Sequence, residues 1–212
     1  MTDAELAKKK EMLIKEIIYY GFLKTPAVIE AFRKVPRENF VPENMRSCAY
    51  INEPLPIGMS QTISQPLTVA AMTEALEPKK GSKILEVGSG SGYQAAILSE
   101  IVGQSGRGIT TERIAELYEF AKSNLKNYKN VIVLYHDGMN GCKEHAPYDR
   151  IIVTAAAREI PEALLEQLAK GGRMVIPVGE QMTVVKKDAK GRIEQEFIGY
   201  YAFVPLLPGK SE

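Results

Sequence analysis

The segment Lys83-Ile84-Leu85-Glu86-Val87 is a short, largely apolar run that ends in Gly88-Ser89-Gly90-Ser91-Gly92 and feeds Tyr93 to Val102, which reads as a helix. A run of this kind reads as a buried strand, and strands of parallel sheets, covered on both faces, are near-continuous in apolar residues. Parallel strands need a long crossover between them, usually a helix. The feature therefore commits the chain to strand–turn–helix units in layers. The remaining sequence repeats the unit, with a strand ending at Thr111 and a helix from Arg113 to about Leu125. Strands follow at Val131 to Tyr135 and Arg150 to Thr154, then a helix opening with Pro161 and closing at Gly171, then a strand from Gly172 to Val178. Residues 182–187 and 192–204 read as a hairpin joined through Asp188-Ala189-Lys190-Gly191. The expected fold class is α/β, a doubly wound Rossmann-like sheet, mostly parallel, with a C-terminal antiparallel hairpin.

Ahead of this unit, Leu6, Leu13, Ile14, Ile17 and Ile18 recur at helical spacing up to Gly21, and a second helix runs from Pro26 through Phe32 with Pro36 marking its end. Residues 36–66 are irregular and rich in proline, and a helix over 67–77 leads into the sheet. Long irregular stretches in a compact protein are more often functional than accidental. With no repeat and no linker, one domain over 1–212 is expected, made of a helical extension (1–66) and a ligand-binding sheet (67–212). The 27 basic and 26 acidic side chains leave a net charge of +1. They form no basic stripe of the kind nucleic acid requires, so no nucleic-acid partner is expected. Cys48, Cys142, His136 and His145 stand at no metal-ligand spacing, so no metal is expected. Lys8-Lys9-Lys10 is followed by Glu11, Lys15 and Glu16 rather than by an apolar leader, and no run is long enough to span a membrane. A cytoplasmic monomer with no membrane partner is the expectation.

The glycine-rich turn is GxGxG rather than the GxGxxG of dinucleotide sites, because Tyr93 follows Gly92. Glu86 precedes it, and a carboxylate there repels pyrophosphate but suits a cation such as an amino-acid ammonium or a sulfonium. Glu112 lies at the expected end of the second strand of this unit, where an acidic residue accepts both ribose hydroxyls. Asp137-Gly138 follows the third, where the acid accepts from an adenine amine. Taken singly, each acid reads better as a capping or solvated carboxylate. Three of them at successive strand ends point to a nucleoside-bearing cation, S-adenosylmethionine, bound by Glu86, Gly88, Ser89, Gly90, Gly92, Glu112, Asp137 and Gly138.

These residues sit within a wider resemblance. Val35-Pro36-Arg37-Glu38, Phe40-Val41-Pro42, Leu55-Pro56-Ile57-Gly58, Gln61-Thr62-Ile63-Ser64-Gln65-Pro66, Leu85 to Gln94, Ala146 to Ala157, Gly171-Gly172-Arg173, Ile176 to Gly179 and Phe203 to Leu206 run through nearly the whole chain. Together they resemble the protein-L-isoaspartate O-methyltransferases. The glycine turn is shared by many methyltransferases, whereas the Gln61-to-Pro66 segment is much more specific. The resemblance implies a methyltransferase fold and a repair activity. S-adenosylmethionine would esterify the free α-carboxylate of L-isoaspartyl residues in damaged proteins and peptides, leaving S-adenosylhomocysteine and an ester that collapses to a succinimide. It further implies Ser64 as the active-site residue and Gln61, Thr62 and Ile63 as the walls of the acceptor pocket.

The chemistry suits those residues. An α-carboxyl group, which titrates at about 3.5, is already ionised at neutral pH, so no general base is needed, and the Gln61-to-Pro66 segment holds no His, Lys or Asp. Ser64 has a second reading, as a helix N-cap ahead of Pro66. The backbone near Tyr50 to Ser60 and around Phe203-Val204 is a candidate grip on the acceptor main chain. Met59-Ser60 stands where the family usually has glycine before Gln61, and a serine fits there only if its φ is negative or tolerated. Two rival readings remain: a methyltransferase for small acids, which leaves Gln61-to-Pro66 unexplained, and a non-catalytic cofactor-binding module.

Overall fold

The computed structural model describes residues 1–211. Helix α1 (Asp3–Tyr19) starts at a capping box, with Glu5 N–H donating to Thr2 Oγ1 (3.2 Å) and Thr2 N–H to a Glu5 carboxylate oxygen (2.7 Å). It buries Leu6, Leu13, Ile14 and Ile17, while Ile18, expected on the same face, lies at its margin. Helix α2 (Pro26–Lys34) follows, with its proline in the first turn where no N–H is missed. Two short 3-10 turns lead to β1 (Leu55–Gly58) and β2 (Gln61–Ile63), an antiparallel hairpin within the stretch read as irregular. Helix α3 (Pro66–Leu76) then enters the main sheet.

That sheet has seven strands in the order β5-β4-β3-β6-β7-β8-β9. Strands β3 (Lys83–Val87), β4 (Arg107–Glu112), β5 (Val131–Tyr135), β6 (Tyr148–Val153) and β7 (Leu168–Val178) run parallel. β8 (Gln181–Lys187) and β9 (Ile193–Tyr200) return antiparallel, as the expected hairpin. The hairpin ends at Tyr200, and residues 201–204 leave the sheet. Helices α4 (Tyr93–Val102) and α5 (Ala115–Asn124) fill the crossovers after β3 and β4. From β3 the chain moves outward to β4 and β5, then returns to lay β6 on the other side of β3. Ligands of open α/β sheets bind at such a reversal, outside the carboxyl ends of the strands. Here the reversal lies between Val87 and Val153.

The helix expected from Pro161 to Gly171 is shorter. α6 covers Glu162–Gln167, and Leu168 already pairs with Tyr148 in the sheet. Gln167 explains the early stop, since its side-chain carbonyl accepts from Cys142 N–H (2.7 Å) and its amide donates to Asn140 O (2.9 Å). Gly171 and Gly172 then fall where the β6–β7 register shifts. One apolar cluster joins the N-terminal extension (Leu13, Phe32, Phe40, Ile63) to the helices flanking β3 and β4 (Tyr93, Ile97, Leu117, Leu125). Phe40 meets the Tyr93 ring edge-on at 5.6 Å, so the extension is seated on the first residue of α4, next to the glycine turn.

Candidate active site

The turn after β3 folds tightly because Gly88 and Ser89 both send their N–H groups to Thr111 O, at 2.9 and 3.0 Å. Gly88 has φ +94°, and a Cβ there would fall 2.5 Å from Thr154 Oγ1, so only glycine fits. Thr154 donates to Gly88 O (2.6 Å) and stitches the ends of β3 and β6 together. A cleft opens beside this turn, with Gly88, Gly90, Glu112 and Gly138 on one side and Ile114, Leu117, Leu206 and Leu207 as an apolar wall. The space inside it, open mouth included, is about 720 Å³.

Each expected cofactor residue can now be placed. Glu112 is buried, and its carboxylate accepts Gly90 N–H (2.9 Å), Arg113 N–H (2.8 Å) and Ile114 N–H (3.0 Å). These bonds fix the carboxylate at the cleft wall with lone pairs to spare. Glu86 sits deeper, in an adjoining cavity that also holds Ser64, Gly88, Ser89 and Gly90. It is 2% exposed and neither carboxylate oxygen has a hydrogen-bond partner among the described residues. Burial pushes its carboxyl up to about 8, the nearby Thr110 hydroxyl works the other way, and Glu112 adds to the rise. An orphaned buried carboxylate costs free energy unless something cationic meets it, so the site fits the positively charged amino-acid end of S-adenosylmethionine.

Three residues act less directly. The Ser89 hydroxyl is bonded to Thr110 Oγ1 (2.6 Å), which leaves its main chain to face the cavity. Gly92 lies outside both cavities, and a Cβ there would fall 2.9 Å from the Leu125 side chain, so its bareness serves helix packing. Asp137 is not in the cleft lining, whereas its neighbours His136 and Gly138 are. Its carboxylate accepts Met139 N–H (3.0 Å), the Asn140 amide (3.1 Å) and Gly209 N–H (2.8 Å).

On the other side of the turn lies an open groove lined by Ser64, Gln65, Thr68, Phe22 and the chain from Tyr200 to Val204. Thr62 and Thr154 line the cleft, the Glu86 cavity and the groove alike, which makes them the junction of all three. Val204 borders the cleft and the groove, and Gln61 the cleft. Ile63 lines the Glu86 cavity. Ser64 is half-buried, and its hydroxyl makes no hydrogen bond among the described residues. The N-cap position of α3 is Gln65, without a side-chain bond, so the capping reading of Ser64 fails.

The chain belongs to the protein-L-isoaspartate O-methyltransferase family. The family model described as protein-L-isoaspartate(D-aspartate) O-methyltransferase matches residues 8–211. The protein-L-isoaspartate O-methyltransferase of Methanopyrus kandleri is 49% identical over 97% of this chain and 94% of its own. That of Ignicoccus hospitalis is 50% identical over 95% and 99%. One solved protein-L-isoaspartate O-methyltransferase superposes with a TM-score of 0.83 at 30% identity, covering 92% of this chain and 65% of that one. A beta-aspartate methyltransferase of Plasmodium falciparum, solved with S-adenosyl-L-homocysteine, gives 0.80 at 25% identity over 92% and 97%. The α/β methyltransferase fold expected from the sequence is the fold of this family member.

The sequence did not reveal Thr154, whose hydroxyl sits at the junction, or the C-terminal tail that frames the cleft. Leu206 N–H bonds to Ala156 O (2.7 Å), Ser211 N–H to Arg113 O (2.7 Å) and Arg113 Nε to Gly209 O (2.7 Å). It also concealed Arg37. This side chain is fully buried and donates to Ala49 O, to Glu53 O (3.3 Å) and to Ser64 O (3.0 Å). Burial lowers its pKa to about 10, while Tyr93 and Tyr50 work the other way, so it stays cationic at neutral pH. Beside it, the Tyr50 hydroxyl donates to Glu38.

The β1–β2 turn corrects one expectation. Met59 and Ser60 both have positive φ, +51° and +56°, which is the primed two-residue turn that prefers Asn-Gly. The serine therefore occupies the left-handed region at a cost. Ser60→Gly is expected to raise stability by about 0.5–1 kcal/mol, or about 1–4 °C in Tm for a chain this size. A lower Tm in a thermal melt would refute it.

Proposed function

We propose that the chain transfers a methyl group from S-adenosylmethionine to the free α-carboxylate of L-isoaspartyl residues in damaged proteins and peptides, giving S-adenosylhomocysteine and a methyl ester that collapses to a succinimide. The observation that carries it is the junction at Thr62 and Thr154, where a carboxylate-lined cleft meets the Ser64 groove. When bound, S-adenosylmethionine supplies an electrophilic methyl on a sulfonium. Glu86 meets its cationic amino-acid end, Glu112 the ribose, and the backbone of Gly88, Ser89, Gly90 and Gly138 lies against it. Asp137 and Gly92 support the site, Asp137 by fastening the tail at Gly209.

Ser64 is the catalytic residue of this reading, with Thr62 and Val204 beside it in the groove, while Gln61 and Ile63 approach the acceptor from the adjoining cleft and Glu86 cavity. Among the described residues no Asp, Glu, His or Lys lines the groove, as befits an acceptor that needs no proton removed. The residues act by orienting the carboxylate and excluding water, and positioning of this kind is worth up to roughly 7–11 kcal/mol. The Ser64 hydroxyl, without a hydrogen-bond partner among the described residues, offers one hydrogen bond to the acceptor. Ser64→Ala is expected to lower kcat/KM for an isoaspartyl peptide about fivefold, the equivalent of ~1 kcal/mol. S-adenosylhomocysteine affinity, read by calorimetry, is expected to stay unchanged. Lost affinity in that variant would move Ser64 to the cofactor side.

The apolar cluster from Leu6 to Leu125, which joins the N-terminal extension to the helices of the sheet, supports reading 1–212 as one domain. No described helix is long and apolar enough to cross a membrane. A monomer in the cytoplasm, acting on isoaspartyl proteins and not on nucleic acid, completes the proposal.

A further inference from the structure

Tyr200 lines the Ser64 groove and is 72% exposed. Phe197, 50% exposed, packs edge-on against it with centroids 5.0 Å apart at 62°. Residues three apart on a regular strand point to opposite faces. These two meet because the β8–β9 register shifts between Met182 and Thr183, whose partners are Gly199 and Phe197. β9 is the edge strand and nearly all of its residues are exposed. Two adjoining aromatic rings in water forgo the free energy of burial, and contact with a partner's apolar group would recover it. The patch is continuous with the groove, because the chain from Tyr200 to Val204 forms one of its walls. Four residues of chain span at most ~14 Å, a reach that four residues of a bound peptide can match.

Resting on the methyltransferase reading above, we propose that Phe197 and Tyr200 form a subsite for a large apolar or aromatic side chain of the acceptor peptide, within four residues of the isoaspartate. The occupant is substrate, and the subsite makes the enzyme selective among damage sites that the Ser64 pocket alone treats alike.

The test uses the full chain and a set of isoaspartyl peptides in a Gly/Ser background, with one phenylalanine moved from four residues before the isoaspartate to four after. The wild type is expected to show kcat/KM raised about two- to tenfold, mainly through KM, for phenylalanine on one side. In Phe197→Ser and Tyr200→Ser, separately and together, the ratio of phenylalanine-bearing to phenylalanine-free peptides is expected to fall towards one. Thermal melts and S-adenosylhomocysteine affinity check that the variants fold. Equal rates across the wild-type set, or a preference that survives the double variant, would overturn the subsite. So would a concentration-dependent dimer abolished by the same substitutions without any peptide preference, which would assign the rings to contact between copies. A wild type that methylates no isoaspartyl peptide would overturn the proposed function instead.

Discussion

Glu86→Gln is expected to weaken S-adenosylhomocysteine binding by about ten- to hundredfold, the cost of ~1.5–3 kcal/mol for losing a charge-assisted hydrogen bond. The carboxylate is buried and its oxygens have no partner among the described residues, and under the proposed function the ligand's ammonium would satisfy them. Binding of a cation requires the ionised form, and burial holds this carboxyl up to about 8. Affinity is therefore expected to rise with pH, up to tenfold per unit, until about 8 and then to level off. The glutamine variant should lose that slope, since it has nothing to titrate. Adenosine, which lacks the amino-acid end, should bind both forms alike. The ligand-free protein carries the opposite dependence. Its folded-state pKa lies above the unfolded value, so the contribution to stability is full below pH ~4.5 and is lost as pH rises through about 8, by at most ~1.4 kcal/mol per unit. Calorimetry and melts across pH 6–9 read both effects, and equal affinity of wild type and Glu86→Gln would place the ligand's charge elsewhere.

The second large effect concerns Arg37. Arg37→Met is expected to destabilise the fold by about 3 kcal/mol or more, lowering Tm by about 6–12 °C. Two effects compete. Removing an arginine without a carboxylate partner relieves its desolvation, and apolar replacements of buried charges are sometimes neutral. Against that, the carbonyls of Ala49, Glu53 and Ser64 lose their donor together, and a buried group left unmet costs ~1–3 kcal/mol. Three carbonyls outweigh one recovered desolvation. Arg37→Lys keeps the charge but not the planar fork, so it is expected to fall between the two in Tm. Because Ser64 O is one of the three, activity in the lysine variant should drop more than cofactor affinity does. A melt within 2 °C of wild type for Arg37→Met would show that the relief of desolvation wins.

Much of this architecture was legible because it rests on local signals. The apolar run before Gly88-Ser89-Gly90-Ser91-Gly92 declares a buried parallel strand and a tight turn, and Glu86 and Glu112 fall at strand ends by spacing alone. What could not be read depends on contacts distant in sequence. The β1–β2 hairpin escaped because its strands are only four and three residues long and its turn is Met-Ser rather than Asn-Gly. Helix α6 stops early because Leu168 is drawn into pairing with Tyr148 and Gln167 braces the loop at Cys142. Asp137 stands where spacing put it, but its carboxylate is shared with Gly209, 72 residues away. Arg37 carries no local signal of burial, since arginines are rarely fully buried, and only the fold shows it tied beneath the acceptor segment.

The measurement that tests the central claim most directly is methyl transfer from labelled S-adenosylmethionine to paired synthetic peptides, one containing L-isoaspartate and the other L-aspartate. The expected result is label in the isoaspartyl peptide alone, as a base-labile ester, at a rate that Ser64→Ala reduces. Cofactor binding with neither peptide labelled, or with both labelled equally, would contradict the assignment of the Ser64 groove to an isoaspartyl carboxylate.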